Sequence, residues 1–373
     1  MRTPPSDSVE ELVTRRLYRK TTIKEVAELA GVSVTTVSHV VSGKRLYGHE
    51  TQARVRKAIA DLNYVPSYVA RGLRGHSSLT IGVCADDPYR FGGSLRRTFA
   101  EQLWRGMTSE ADAHSYSTLH YSEKVRESES VEPFLNGFID GLLMENPHGD
   151  VRPAQLAQAG LPVVVLTRAF ENAQRIGAVY TDEGHLVEVA LEALYDQGHR
   201  RIAHIAGPSD ELGDPRSPDT KSDDVAEWRL NSYRNWMANK GCDFNDLVGY
   251  AGTWEPRSLL PLLQRWQSLD DPPTAIFCSN DAIALRLMGD AKTLGIRVPE
   301  DISLVGVDNV PESVGAGLTT MRAAVDEVGR EAVRLLLRMM GGEPAEACRK
   351  VLPVARYVER NSVAPLRQRF SIG

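Results

Sequence analysis

The sequence predicts an α/β protein in which a small all-α helix-turn-helix head precedes a two-subdomain, doubly wound α/β body. Three observations predict it. Two short segments of helical periodicity flank Gly31 near the start of the chain, the arrangement of a helix-turn-helix. From Leu79 onward, short β-rich runs alternate with amphipathic segments, the pattern of parallel sheets covered on both faces. Charge divides at the same place: residues 15–76 hold twelve Lys and Arg against four acids, a net +8, whereas all 373 residues sum to −5. A basic head on an acidic body points to a polyanion as the partner of the head alone.

In the head, Thr22 precedes the apolar positions Ile23, Val26, Ala27 and Ala30, and Glu25 stands three residues on, where a capping box needs it. Gly31 breaks that helix, because glycine tolerates the positive φ of a tight turn. Ser33 caps a second helix carrying Val37, Val40 and Val41, and Gly43 ends it. A third amphipathic helix is predicted over 49–62, with Val55, Ala58, Ile59 and Leu62 inward. An ordinary three-helix bundle shares this topology without binding DNA. The local positive charge favours a second helix that enters a major groove.

In the body, strands are predicted at 79–84, 116–121, 137–144, 162–166, 178–181, 201–207, 274–279 and 302–307, with another around 247–251. Helices are predicted at 185–196, 228–239 and 282–294. About 295 residues are long for one sheet, so two similar subdomains joined by crossovers, with a cleft between them, are expected. In open α/β sheets ligands bind outside the carboxyl ends of strands, which directs attention to residues just after each strand.

Composition closes off several classes. At 42% hydrophobic and 25% charged, the chain is ordinary for a globular protein with a core, not a disordered or fibrous one. No apolar run reaches the roughly 18 residues of a membrane span. The first twenty residues are polar without a signal-peptide core, so a cytoplasmic, nucleoid-associated protein is expected. Cys84, Cys242, Cys278 and Cys348 are far apart, with no CxxC spacing, and Cys84 and Cys278 sit in strand-like apolar runs that suggest core packing. Neither cofactor nor metal is expected. The nine histidines are scattered, and no HExxH, GxSxG or GxxxxGK[ST] motif occurs.

The segments TIKEVAELAGVSVTTVSHVVSG and ARVRKAIADLNYVPSYVARGLR resemble the head of the lactose-repressor (LacI/GalR) family of bacterial transcription regulators, without a gap from Thr22 to about Arg74. GHRRIAHIAGP, TAIFCSNDAIALRLMGDAKTLGIRVPEDISLVGVDN and LTTMRAAVDEVGREAVRLLL resemble that family's effector-binding domain, itself similar to periplasmic sugar-binding proteins. The resemblance implies a flexible N-terminal arm at 1–21, a DNA-binding domain at 22–65, a hinge at 66–77 and an effector-binding and dimerisation domain at 78–373. It also implies roles in the head. Val34 and Thr35 stand first in the recognition helix, suited to a thymine methyl and a base-edge hydrogen bond. Thr22, Ser33, Thr36, Ser38 and Tyr64 belong to the same DNA-binding set, with Ser33, Thr36 and Ser38 suited to phosphates. His39 replaces the usual Arg and cannot make its bidentate contact to guanine; solvent exposure without base contact is the alternative. Ala70 and Leu73 fall in a hinge that orders on DNA, where Leu73 matches the leucine that wedges into the minor groove.

For the body, the resemblance singles out Asp86, Arg229, Trp254, Asn280 and Asp308 as effector contacts. An indole beside Asp, Asn and Arg suits a sugar, its face packing on C–H groups while the others hydrogen-bond hydroxyls. Each residue also has a plain structural use. Asn280 and Asp308 can cap the following helices, Trp254 can be core, and Arg229 can pair with an acid. His199, after Gly198, reads as structural. The family's short segment after the first strand is replaced by DDPYRFGGSLRRTF, which remodels the rim near Tyr89 and Phe91, and the loop before Arg229 is longer than usual. The expected protein is a homodimeric repressor that binds a near-palindromic double-stranded DNA operator. A small-molecule effector, a sugar, controls it, and no membrane is involved. A nucleoside or a protein co-regulator is the alternative effector, and a carbohydrate-active enzyme using Asp86 and Asp308 is a remote one.

Overall fold

The computed structural model describes residues 21–41, 46–64, 77–88, 95–145, 150–166, 175–208, 224–352 and 356–366. The chain forms two compact units that divide between Ser78 and Leu79. Residues 1–20 of the N-terminal arm, Gly43, the hinge from Pro66 through Ala70 and Leu73 to Arg74, and Tyr89 and Phe91 lie outside the described residues, whereas Thr21 donates its hydroxyl to the Leu62 carbonyl at 3.0 Å and so joins the head.

The head contains α1 (Ile23–Ala30), α2 (Val34–Val41) and α3 (His49–Asp61). The capping box forms as the sequence predicts. The Glu25 N–H donates to Thr22 Oγ1 at 3.4 Å, and the Thr22 N–H donates to Glu25 Oε2 at 2.7 Å. Gly31 takes φ 61° and closes α1 by donating to carbonyls of that helix. Val26, Val37 and Val55, one from each helix, are wholly buried and form the centre of the head's core.

The body is built on two six-stranded sheets. The first contains β1 (Thr80–Cys84), β2 (Ser117–His120), β3 (Gly141–Glu145), β4 (Val163–Leu166), β5 (Ile176–Thr181) and β11 (Arg349–Leu352), in the order β11-β5-β4-β3-β1-β2 and parallel throughout. The second contains β6 (Ile202–Ala206), β7 (Val248–Tyr250), β8 (Ala275–Cys278), β9 (Ser303–Val307), β10 (Thr319–Arg322) and β12 (Arg356–Val358), in the order β12-β10-β9-β8-β6-β7. Only β12 runs antiparallel to its neighbour. Central strands such as β4, β6, β8 and β9 are buried at every position, as parallel strands covered on both faces must be.

The first sheet packs on α4 (Leu95–Ala113) and α12 (Val325–Met340) on one face and on α6 (Arg152–Gln158) on the other. α5 (Glu123–Arg126) is a single turn after β2. The second sheet lies between α7 (Glu183–Asp196) with α8 (Asp224–Asn239) and α9 (Leu260–Gln267) with α10 (Asp281–Thr293). α11 (Pro311–Ala316) connects β9 to β10. Two glycines bring α4 and α12 into backbone contact: a Cβ on Gly106 would lie 2.0 Å from the Asp326 carbonyl oxygen, and one on Gly329 would lie 2.4 Å from that of Leu103.

The chain crosses between subdomains after β5, after β10 and between β11 and β12. The strand expected at 137–144 begins at Gly141; just before it the Asp140 N–H donates to the Thr80 carbonyl at 2.9 Å and its carboxylate accepts the Leu79 N–H at 2.8 Å. β10, β11 and β12 are additional to the predicted strands. The last two are three- and four-residue edge strands, too short and too exposed to show a period of two. Cys84 and Cys278 are buried as free thiols in β1 and β8, as expected. His199 is structural: Nδ1 bonds Thr274 Oγ1 at 2.9 Å, and Nε2 bonds the Ala364 carbonyl at 3.1 Å. Among the described residues no helix is long and apolar enough to cross a membrane.

Candidate functional site

In the head, α2 begins with two hydroxyls that hold each other. The Thr36 N–H donates to Ser33 Oγ at 3.1 Å, and the two side-chain oxygens lie 2.9 Å apart. Thr35 between them is exposed. Val34 is half-buried against the head's core, and Ser38 and Tyr64 are half-buried too. His39 is not simply solvated: its Nδ1 lies 3.2 Å from the Tyr47 hydroxyl, and the two rings stack at 6.0 Å. Thr22 bonds Glu25 through both its N–H and its hydroxyl. Lys24, Arg54, Arg56 and Lys57 are exposed on α1 and α3. The arrangement presents the start of a helix, whose leading N–H groups favour anions, within a field of positive charge.

In the body, the expected residues lie at the carboxyl ends of strands, as the fold rule requires. Asn280, Asp308 and Trp254 follow β8, β9 and β7, and Arg229 enters from α8. Arg229 is buried, with Nε donating to Glu183 Oε2 at 2.7 Å and Nη1 donating to the Ser279 carbonyl. The structural alternative for this residue, pairing with an acid, is therefore realised. Glu183 in turn accepts the Thr181 hydroxyl on its other oxygen.

Asn280 also takes its structural alternative. Its Oδ1 accepts the Ile283 N–H at 2.8 Å and caps α10, and its Nδ2 donates to the Trp254 carbonyl at 3.0 Å. Asn280 thus fixes the backbone of Trp254, whose half-exposed ring lies on Gly207. A Cβ at position 207 would meet that ring at 2.7 Å, so only glycine fits there.

Asp308 caps nothing. The residue at the cap position of α11 is Val310, whose N–H donates to Asp281 Oδ2 at 3.0 Å. Asp308 has φ 109° and Asn309 has φ 54°, two successive residues in a region that favours glycine. The strain is held from outside. The Asp308 N–H donates to the Met321 carbonyl at 2.8 Å, and Arg360 Nη2 donates to Asn309 Oδ1 at 2.5 Å. Burial pushes the Asp308 carboxyl up to about 8, while the Arg229 guanidinium pulls it down and the Asp281 and Glu183 carboxylates push it up. Burial likewise raises Asp281 to about 7, against hydrogen bonds from Thr320 and Val310.

Asp86 lies on the other sheet. Its Oδ1 pairs with Arg126 Nη1 at 2.5 Å, its N–H donates to Glu145 Oε2 at 3.0 Å, and its carbonyl accepts Trp104 Nε1 at 2.9 Å. The structure thus groups Arg229, Trp254, Asn280 and Asp308 at one sheet edge and sets Asp86 at the carboxyl edge of the other. Glu183, Arg126, Glu145 and Arg360 are absent from the sequence-based set. Glu183 and Glu145 stand at strand ends and satisfy the same rule that selects Asp86, whereas Arg126 and Arg360 carry no such signal.

Among the described residues no group of three His, Cys, Asp or Glu is placed to hold a metal ion. The body edge can do two things: stack a flat or ring-shaped ligand on the indole, and accept hydrogen bonds at Asp308.

Comparisons with known proteins cover both units. Residues 22–67 match the lacI family of bacterial regulatory proteins, and residues 191–363 match a periplasmic binding protein-like domain. The HTH-type transcriptional repressor PurR of Vibrio vulnificus is 31% identical over 327 residues, covering 85% of this chain and 91% of PurR. The HTH-type transcriptional repressor CytR of Escherichia coli K12 is 29% identical over 329 residues, covering 86% of this chain and 90% of CytR. Among solved structures, the lac repressor dimer bound to operator and the anti-inducer ONPF aligns with a TM-score of 0.72 at 27% identity, over 93% of this chain and 100% of that one. The complex of the transcriptional regulator CelR with cellobiose aligns with a TM-score of 0.62 at 26% identity, over 92% of this chain. Head and body match in one continuous order, and the chain belongs to the lacI family of bacterial regulatory proteins.

Proposed function

We propose that the protein is a transcriptional repressor that binds a near-palindromic DNA operator as a homodimer and is switched by a sugar held between the carboxyl edges of the two sheets. The observation that carries this reading is the second-sheet edge. There a half-exposed indole, fixed through Asn280, lies at the same strand-end edge as Asp308, whose carboxyl group accepts no hydrogen bond from the described residues. A sugar ring offers the indole C–H faces and offers hydroxyls to the Asp308 carboxyl, which burial keeps largely protonated near neutrality. The operator in the lac repressor structure and the cellobiose in the CelR structure agree with the two halves of the reading.

In this reading Thr35 and Val34 face base edges, and Ser33, Thr36, Ser38 and the leading amides of α2 face phosphates. Ala70 and Leu73 enter the minor groove at the operator's centre, and the protein works in the cytoplasm at the nucleoid. The effector must bind the operator-competent and operator-free arrangements with unequal affinity, since otherwise no population shifts.

The test has two measurements. Operator affinity is followed by fluorescence anisotropy at several salt concentrations, where a steep loss with salt is expected. Melting is then followed against hexoses, pentoses, disaccharides, polyols and nucleosides. A sugar that raises the melting temperature and changes operator affinity supports the reading. A nucleoside as the sole stabiliser overturns the sugar assignment, because a base stacks on Trp254 equally well. Replacing Leu73 by Ala is expected to weaken operator binding while leaving the ligand-induced shift unchanged.

A further inference from the structure

The Asp308 carboxyl makes no hydrogen bond with the described residues, so its place is set by its backbone alone. That backbone is strained at two successive residues, with φ 109° at Asp308 and 54° at Asn309, and such a turn relaxes unless its surroundings hold it. Its two ends are held by neighbouring elements. The Asp308 N–H donates to the Met321 carbonyl at 2.8 Å, and the Val310 N–H donates to Asp281 Oδ2 at 3.0 Å. In the middle the backbone is held weakly: the Asn309 N–H reaches only Thr320 Oγ1, at 3.4 Å, and the Thr320 hydroxyl itself donates to Asp281 Oδ1.

The middle is gripped through the Asn309 side chain instead. Arg360 Nη2 donates to Asn309 Oδ1 at 2.5 Å, while Nη1 donates to the Leu318 carbonyl at 2.6 Å and to Ser313 Oγ at 3.2 Å. The Ser313 hydroxyl passes its own proton to the Val310 carbonyl at 2.6 Å, and the Arg360 N–H donates to Thr319 Oγ1 at 3.0 Å. One half-buried guanidinium thus ties the turn after β9 to α11 and to the entry of β10. All of its bonds go to uncharged acceptors of that one unit, and its rigid, planar fork suits it to fix several of them at once.

This arrangement deepens the proposed function and rests on it for the part played by Asp308. We infer that Arg360 is a positioning residue of the effector site, which through Asn309 holds the strained turn that sets the Asp308 carboxyl at the end of β9. Without that grip the turn relaxes and the carboxyl moves into water. Arg360 acts from behind the turn, and its effect on a ligand passes through Asp308.

The experiment is a cycle of variants of the full chain and needs no ligand. All five tryptophans lie between residues 104 and 266, so melting followed by tryptophan fluorescence reports the body and not the basic head. The charged groups that act on Asp308 are Arg229, Asp281 and Glu183, and Arg360 acts on Asp281; all but Arg360 are kept in every variant, so each pair differs at position 308 alone. At about pH 8.5, Asp308→Asn is expected to melt about 4 °C above the wild type, because it removes the cost of ionising a carboxyl held out of water. In an Arg360→Met background, which keeps the apolar stem and removes the donors, the same change is expected to gain under about 1 °C. Asn309→Gly removes the acceptor while glycine accepts the positive φ, and it is expected to abolish the gain in the same way. That background decides the matter if Arg360→Met does not fold.

A merely structural Arg360 would lower every melt alike and leave the gain from Asp308→Asn intact in both backgrounds, which overturns the inference. Equal melting of Asp308→Asn and the wild type overturns it too, since the carboxyl would then not be held out of water. The ligand screen on the wild type fails or succeeds apart from this cycle: a body that binds no hydroxylated ligand removes the effector reading and leaves the grip of Arg360 on the turn.

Discussion

The head and the body satisfy their polar groups over very different distances along the chain. In the head, Thr22 bonds Glu25 and Ser33 bonds Thr36, each three residues apart. In the body, Arg229 reaches Glu183 across 46 positions and Ser279 across 50, and Arg360 reaches Asn309 across 51. The head's helix caps are therefore satisfied within one helical turn, although Thr21 Oγ1 also reaches the Leu62 carbonyl across 41 positions. The body's site is held by residues that the chain brings together only after both sheets have formed, and most of its charges are already answered from within. Local satisfaction tolerates loss of one member, whereas a long-range buried pair does not.

The largest effect should come from breaking such a pair. Arg229→Ala leaves Glu183 buried without its cation and is expected to cost about 3–5 kcal/mol, seen as a lower midpoint in denaturant followed by tryptophan fluorescence. Arg229→Ala combined with Glu183→Gln should recover part of that loss. A loss of under about 1 kcal/mol in the single variant would show that the pair is solvated and would erase the contrast with the head.

The next effect compares two glycines. Gly329→Ala drives a Cβ to 2.4 Å from the Leu103 carbonyl between α12 and α4, and about 3 kcal/mol is expected. Gly31→Ala in the head meets nothing within 4 Å and carries only the strain of φ 61°, about 1–2 kcal/mol. Circular dichroism and tryptophan fluorescence, read on the same melts, would separate the two units.

A pH titration sharpens the comparison further. The unfolded Asp308 carboxyl ionises near 3.8, and the folded one at about 8. Below about pH 4 both states hold the proton and no penalty arises. Between these values the folded state holds more protons than the unfolded, so stability falls as pH rises, and above 8 the penalty is complete. Asp308→Asn is expected to flatten that decline and to melt above the wild type at pH 8–9. A residual slope from Asp281, which is raised to about 7, should remain. The capping residues give the smallest effect: Thr22→Ala or Ser33→Ala should cost about 1 kcal/mol, in the head's transition alone.

The same difference in distance explains what could be read from the sequence. The capping box at Thr22, the turn at Gly31 and the cap at Ser33 are patterns within four residues, and each stands where expected. Strand–helix alternation gives the two wound sheets, because parallel strands buried on both faces are continuous apolar runs such as PVVVL and ISLVGV. β11 and β12 escape, since edge strands separated by Pro353 have no such run.

At the site, the strand-end rule finds Asp308 and Asn280 but not their uses. That Asn280 caps a helix and carries Trp254, and that Asp308 caps nothing, depends on where α10 and α11 begin. Glu183 satisfies the rule as well as Asp86 does, but its partner on α8 lies 46 positions further on, and no spacing links them.

The route of the chain has a consequence for synthesis. α12 and β11 complete the first sheet and its core, although β1 to β5 of that sheet precede the whole second sheet. On the ribosome, residues 79–181 therefore wait for residues 325–352 before their apolar face is covered. At roughly 5–20 residues per second that interval is on the order of ten seconds or more. The head, complete from its own neighbouring residues, can fold within microseconds to milliseconds of emerging. During each round of translation the nascent protein thus carries a finished DNA-binding head on an open, apolar half-sheet, the stage at which a chaperone would find most to hold.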